Sequence, residues 1–139
     1  MDFYKRIEEI IEKDPRYKAD AYEFLMQALW FTQKKLKRKD HVSGRELLEG
    51  IREFAIEQYG PLAKTVLAHW GITTTEDFGE IVFKMVENGL MKKTQEDSKG
   101  DFKDVYDFKE AFNVFGIKNK RLDIIKNQEN EGKDLLSAY

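Results

Sequence analysis

Residues 73–112, TTTEDFGEIVFKMVENGLMKKTQEDSKGDFKDVYDFKEAF, decide the fold, because a helical pattern there gives way to a charged segment. Thr73 or Thr74 can cap a helix, and Glu76 and Asp77 follow in its first turn, where the helix dipole favours acids. The apolar residues then recur at helical spacing until Gly89. They are Phe78, Ile81, Val82, Met85, Val86 and Leu90.

After Gly89 the periodicity changes. Residues 90–96 and 101–108 flank the sequence Asp-Ser-Lys-Gly at 97–100, which has Asp first and Gly last, as four-residue turns prefer. This arrangement predicts a small β-hairpin. A capped helix that runs straight into a hairpin is typical of a winged helix, so we expect a winged-helix-like C-terminal half.

The residues before 73 predict helices. Residues 21–31 are apolar nearly all round, which is typical of a central, buried helix. Ser43 and Glu46 form a capping-box pattern, and Gly60 with Pro61 ends one helix and starts a short one. The expected fold class is therefore mainly α with a small β-hairpin (α+β), a helical bundle with a winged-helix-like C-terminal half. We expect one domain over residues 1–116 and a weakly ordered tail over 117–139, where apolar anchors are few.

The amino-acid composition excludes several classes of function. The 139 residues are 41% hydrophobic and 36% charged, carry a net charge of −2 and include no cysteine, which rules out a disulfide frame and thiol chemistry. No apolar run approaches the ~18 residues of a membrane span, and the N-terminus does not look like a signal peptide. We therefore expect no membrane partner and a cytoplasmic location.

Three stretches carry a family resemblance: ALWFTQ (28–33), HVSGRELLEGIREFAIEQYGPLAKTVL (41–67) and TEDFGEIVFKMVENGLMKKTQEDSKGDFKDVYDFKEAF (75–112). They resemble a family of short, uncharacterised bacterial proteins associated with planctomycetes, verrucomicrobia and related groups. The similarity covers about residues 20–115. It implies a bacterial origin and brings no activity, cofactor or catalytic residue with it.

Catalytic and metal-binding patterns are weak. His41 and His69, the only histidines, lie far apart in sequence and do not form a ligand pair on one helical face. Carboxylates gather around the expected turn and suit a hard cation, but neighbouring lysines favour a solvated hairpin of mixed charge. They are Glu96, Asp97, Asp101, Asp104 and Asp107. We predict that the protein is not an enzyme and has no cofactor or metal.

Two kinds of partner remain. The basic run at 34–39 offers phosphate contacts but also complements the C-terminal dipole of a helix; its cations are Lys34, Lys35, Lys37, Arg38 and Lys39. The outward face of the helix after Thr74 is mainly acidic, which repels phosphate, so Phe83, Glu80 and Glu87 form a candidate protein-binding surface. We predict a non-catalytic protein-binding or scaffolding module. The alternative is a nucleic-acid-binding winged-helix protein that uses residues 34–39. The sequence leaves the oligomeric state open.

Overall fold

The computed structural model describes residues 2–93 and 97–114. The chain there forms α-helices joined by short loops and two 3₁₀ turns. The helices are α1 (Phe3–Lys13), α2 (Ala19–Leu36), α3 (Gly44–Tyr59), α4 (Ala63–His69), α5 (Thr75–Glu87) and the single turn α6 (Phe108–Ala111). The 3₁₀ turns span Gly60–Leu62 and Lys99–Phe102.

Local capping chemistry explains where the main helices begin. The Glu46 N–H donates to Ser43 Oγ over 3.1 Å and the Ser43 N–H donates to a Glu46 carboxylate oxygen over 2.9 Å, so the predicted capping box of α3 is confirmed. Thr74 caps α5, and the Asp77 carboxylate accepts the Thr74 N–H over 3.2 Å. Each reciprocal pair satisfies backbone groups that have no partner inside the helix.

Helix α2 lies at the centre, with α3, α5 and α1 packed around it, and α4 packs against α3. Large apolar side chains from these elements are completely enclosed, among them Leu25 on α2, Ile51 on α3 and Phe78 on α5. α2 and α3 approach each other closely where Gly50 presents no side chain to Thr32. A methyl group built at Gly50 would lie 1.7 Å from Thr32 Oγ1.

The predicted hairpin is wrong. No strand occurs in residues 2–93 or 97–114, and residues 99–102 form a 3₁₀ turn where a β-turn was expected. The reason is a third capping box: the Ser98 N–H donates to the Asp101 carboxylate over 3.0 Å, and Ser98 in turn caps the 3₁₀ turn. The expected winged-helix-like half is therefore absent from the described chain, which is mainly α as predicted.

Contacts with the helices hold residues 102–108 in place of a partner strand. Phe102 is buried against Gly79 of α5, which has no Cβ to separate the two. The Val105 N–H donates to Thr75 Oγ1 over 3.1 Å, and the Tyr106 hydroxyl donates to the Leu48 carbonyl over 2.8 Å. The first of these bonds satisfies a backbone N–H that a strand ladder would otherwise have paired.

Two further expectations concern other parts of the chain. The weakly ordered tail was predicted for 117–139, which lies outside the described residues, as does the end of the expected domain at 115–116. Within the described residues, none of the helices combines the length and the apolar character that a membrane span requires.

Candidate functional site

An open cleft of about 770 Å³ lies between the C-terminal halves of α2 and α5; we call it the α2–α5 cleft. Its floor and walls are mostly alkyl, thioether and aromatic groups. The side chains that define this apolar surface are Met26, Leu29, Trp30, Phe83, Val86 and Met91. The volume falls in the range of protein sites that hold a ligand or part of a partner.

Helix endings shape the two walls. α2 ends where Lys37 adopts a left-handed conformation (φ 57°), and the Arg38 N–H then closes the helix on the Gln33 carbonyl over 2.9 Å. α5 ends before Gly89 (φ 75°), after which the Leu90 N–H returns to the Met85 carbonyl over 2.8 Å. Both closures turn the chain across a helix end, so the loops that follow become the rim of the α2–α5 cleft.

Trp30 is the most exposed large side chain of this cleft. It is 60% exposed, whereas Met26 and Leu29 beside it are half-buried. The interpretation of residues 21–31 as buried all round is therefore wrong on one side of α2. Ala21, Leu25 and Ala28 are enclosed as expected, and the cleft side is uncovered within the described chain.

Phe83 forms the opposite wall. Its ring meets the buried Phe102 ring edge-on, with the ring centroids 6.4 Å apart, and the side chain is half-buried. This contact fixes the aromatic wall while leaving part of Phe83 open to the cleft. Phe83, which the sequence placed at the edge of the acidic outer face of α5, thus lines the cleft.

Polar groups surround the apolar floor. His41 Nε2 lies 3.3 Å from a carboxylate oxygen of Asp97, which joins the α2–α3 loop to the segment before the second 3₁₀ turn. The Gln33 side-chain amide donates to the Asp40 carbonyl over 2.9 Å. Lys39 and Lys92 are exposed and also line the cleft. The rim therefore offers charged groups around a site that is apolar inside.

Glu80 and Glu87, the two acids predicted to form a surface with Phe83, do not line the cleft. Glu80 accepts from Arg16 over 3.3 Å and lies 3.5 Å from the Lys99 ammonium, so it joins the helices and the second 3₁₀ turn to one another. Glu87 is exposed and does not line the cleft. The described cleft lining therefore includes Phe83 but neither of the two acids that the sequence grouped with it.

Two of the five cations in the basic run at 34–39 form ion pairs with α3. Lys35 pairs with Glu53, and Arg38 lies 2.7 Å from Glu46, so both cations bind acids of α3. The Ser43 N–H and the Arg38 guanidinium hold the pKa of the Glu46 carboxyl below its ordinary value. The other three cations take separate positions: Lys34 is exposed in the last turn of α2, Lys37 terminates the helix, and Lys39 lies on the cleft rim.

A second polar cluster joins α5 to the start of α2, away from the cleft. The Tyr17 hydroxyl donates to Asp77 over 2.5 Å, and Lys84 pairs with Asp14. Burial and the adjacent Asp77 raise the pKa of Tyr17. Burial also raises the pKa of the Asp77 carboxyl, but bonds from the Thr73 N–H, the Tyr17 hydroxyl and Thr74 outweigh it and leave this pKa lowered. The Tyr17–Asp77 hydrogen bond and the Lys84–Asp14 pair thus join α5 to the segment between α1 and α2.

The acids predicted around the hairpin separate in the structure. Asp97 pairs with His41, Asp101 caps its own 3₁₀ turn, and Asp104 adopts a left-handed conformation (φ 47°). No group of three potential metal ligands occurs among the described residues. Glu96 lies outside the described residues. His69 is exposed at the end of α4 and is not part of the cleft.

Met26, Leu29 and Trp30 were not predicted as site residues from the sequence. A signal for Trp30 was present: Glu23, Gln27, Trp30 and Lys34 follow one another at helical spacing, which places the indole within a polar stripe. His41 and Asp97 were also missed as a pair, because 55 residues separate them in sequence and only the packing of α2, α3 and α5 brings them together.

Comparison of the chain with protein-family models, with curated proteins and with solved structures gives no match. The resemblance to short bacterial proteins stays a prediction from the three stretches that carry it.

Proposed function

We propose that the protein is a non-catalytic binding module and that the α2–α5 cleft holds the apolar face of a partner protein's helix. The observation that carries this proposal is Trp30, which is 60% exposed and lines the cleft together with Met26 and Leu29 of the central helix. Burying such an indole removes a large apolar surface from water, and tryptophan is enriched among the residues that dominate binding energies.

The surroundings of Trp30 support a helix as the occupant. The cleft runs between two helices, and amphipathic helices bind in grooves of this kind through residues spaced three or four apart. Met26 and Met91 line it, and methionine side chains adapt to irregular apolar surfaces. Phe83 adds a second aromatic wall, already positioned by Phe102.

Nucleic-acid binding is the alternative proposal, and one observation favours it. Trp30 lies one helical turn before Lys34, which provides the exposed aromatic group for base stacking that the sequence analysis did not find. The ion pairs of Lys35 and Arg38 with α3 weigh against it, because they occupy two of the five cations of the run. The aliphatic lining of the cleft also suits a protein better than a base.

A selection of phage-displayed helical peptides on the full chain tests the proposal. Peptides that bind should carry apolar residues at helical spacing and lose at least about tenfold in affinity when Trp30→Glu places a charge on the cleft. Leu62→Glu is the matched control, because Leu62 is 62% exposed and lies in the first 3₁₀ turn, outside the cleft. Circular dichroism checks that both variants keep their helices.

Affinities that are equal for Trp30→Glu, Leu62→Glu and the unaltered chain would overturn the cleft as the site. Salt-sensitive binding of a labelled single-stranded oligonucleotide, lost when Lys34 and Lys37 are changed to Gln, would replace the proposal with its alternative.

A further inference from the structure

We infer that the partner helix carries acidic residues beside its apolar face. This inference rests on the proposed function, since it names the chemistry of the helix that the α2–α5 cleft receives. The charged rim of the cleft bears on the charge of the partner helix, whereas the apolar floor bears on its apolar face.

The rim cations come from both walls. Lys39 belongs to the loop that follows α2, and Lys92 belongs to the segment that follows α5. Both side chains line the cleft and are exposed. A helix bound between α2 and α5 therefore passes an ammonium group at each wall.

Of the three carboxylates in the described rim, one is exposed and two are partly buried. The Asp97 side chain is only 17% exposed and lies beside His41. The Asp101 carboxylate accepts the Ser98 N–H. Asp40 is the exposed carboxylate of the described rim. Among the exposed side chains of the described rim, Lys39, Lys92 and Lys93 therefore outnumber Asp40, although the whole chain carries a net charge of −2.

The exposed lysines of the rim affect which partners bind and how fast they arrive. Charges at the edge of an interface mainly set the encounter rate and the choice of partner, and their effect is screened by salt. Acidic residues on the partner gain from Lys39 and Lys92, whereas basic residues at the same positions are repelled by them. The rim therefore selects the charge of the partner while the floor supplies the affinity.

Two synthetic peptides of about 15 residues, a length at which isolated helices are marginal in water, test the inference. They share leucines at positions i, i+4 and i+7 and differ only in carrying Glu or Lys beside that face. Fluorescence anisotropy with the full chain should show the Glu peptide binding at least about threefold tighter at low salt, with the preference shrinking as salt is added. Lys39→Glu with Lys92→Glu should reverse the preference.

Lys64→Glu is the matched control, because Lys64 is exposed on α4 and does not line the cleft. It should leave the preference unchanged. Equal affinities for the two peptides, or a preference for the Lys peptide, would overturn the inference while leaving the proposed function in place. Binding of neither peptide would count against both.

Two other occupants would be visible in the same experiment. Displacement of the Glu peptide by a single-stranded oligonucleotide would mean that the rim cations serve phosphate, which would overturn the inference. Peptide affinity that falls as the protein is concentrated would show a second copy competing for the cleft and would overturn it as well.

Discussion

The two sides of α2 differ sharply, although both are apolar. Towards α3 the helix is sealed: Thr32 lies against Gly50, and the Phe31 and Phe54 rings stand 5.3 Å apart between centroids. Towards the α2–α5 cleft the same helix leaves Trp30 60% exposed, and Phe83 lies across an open gap. Apolar character alone therefore does not close a helix interface.

Backbone approach explains the difference. Gly50 lets α3 come close enough to α2 for their side chains to interlock. On the other side, polar contacts at the start of α2 hold α5, through Tyr17 with Asp77 and Arg16 with Glu80. Lys84 in the C-terminal half of α5 also pairs with Asp14, while Phe83 and Val86 of the same half line the cleft.

The largest expected effect contrasts two residues of α2. Leu25→Ala should lower the free energy of unfolding by about 2–5 kcal/mol, because it removes completely buried methyl groups and leaves a cavity. Trp30→Ala should change it by no more than about 0.5–1 kcal/mol, because most of the indole is already in water. Urea denaturation measures both.

Similar decreases in the free energy of unfolding for the two variants would contradict this contrast, since they would show that Trp30 is enclosed in solution. The experiment thus tests the openness of the α2–α5 cleft independently of any partner.

A smaller effect is expected at the sealed interface. Gly50→Ala should cost about 1–3 kcal/mol, because the new methyl group collides with Thr32 and pushes α2 and α3 apart. Gly100→Ala is the matched control: its nearest neighbour, Ser98 Oγ, would lie 3.4 Å away, and a change within about 0.5 kcal/mol is expected. Thermal or chemical unfolding that cannot tell the two variants apart would contradict the tight α2–α3 packing.

The smallest expected effect concerns the polar contacts that hold α5. The pKa of Asp77 is lowered in the folded chain, so its stabilisation is present above the unfolded pKa of about 4 and is lost as pH falls through the folded value. Asp77→Asn should destabilise the protein by about 0.5–2 kcal/mol at pH 7, as loss of a helix cap does, and by less at pH 3.

Urea denaturation at the two pH values measures this difference. Glu57→Gln, which removes an exposed carboxylate from α3, controls for the loss of one charge. A penalty for Asp77→Asn that stays constant from pH 7 to pH 3 would rule out the carboxylate as the group that fastens α5.

Most helix boundaries were predictable, because the signals that set them act over a few residues. The capping pair Ser43 and Glu46, the left-handed Gly60 and the cap at Thr74 are all where the sequence indicated. The hairpin prediction failed because residues 97–101 carry two local signals. A turn from Asp97 to Gly100 competes with a capping box from Ser98 to Asp101, and the buried contact of Phe102 with Gly79 favours the second.

The candidate site was less predictable than the fold. Phe83 was identified as a candidate partner residue, but its grouping with Glu80 and Glu87 rested on helical spacing alone. Spacing places residues on one face of a helix without showing what packs against that face. Arg16 and Lys99, which reach Glu80 from other elements, could not be inferred from α5.

The sequence by itself determined the helices, their caps and the apolar composition of α2, since each depends on residues within a turn or two. Only the tertiary structure decided which side of α2 is sealed and which is open. That choice depends on how closely α3 and α5 approach, through Gly50 on one side and Tyr17 with Asp77 on the other. Burial is a property of elements that meet from distant parts of the chain, so a local pattern cannot specify it.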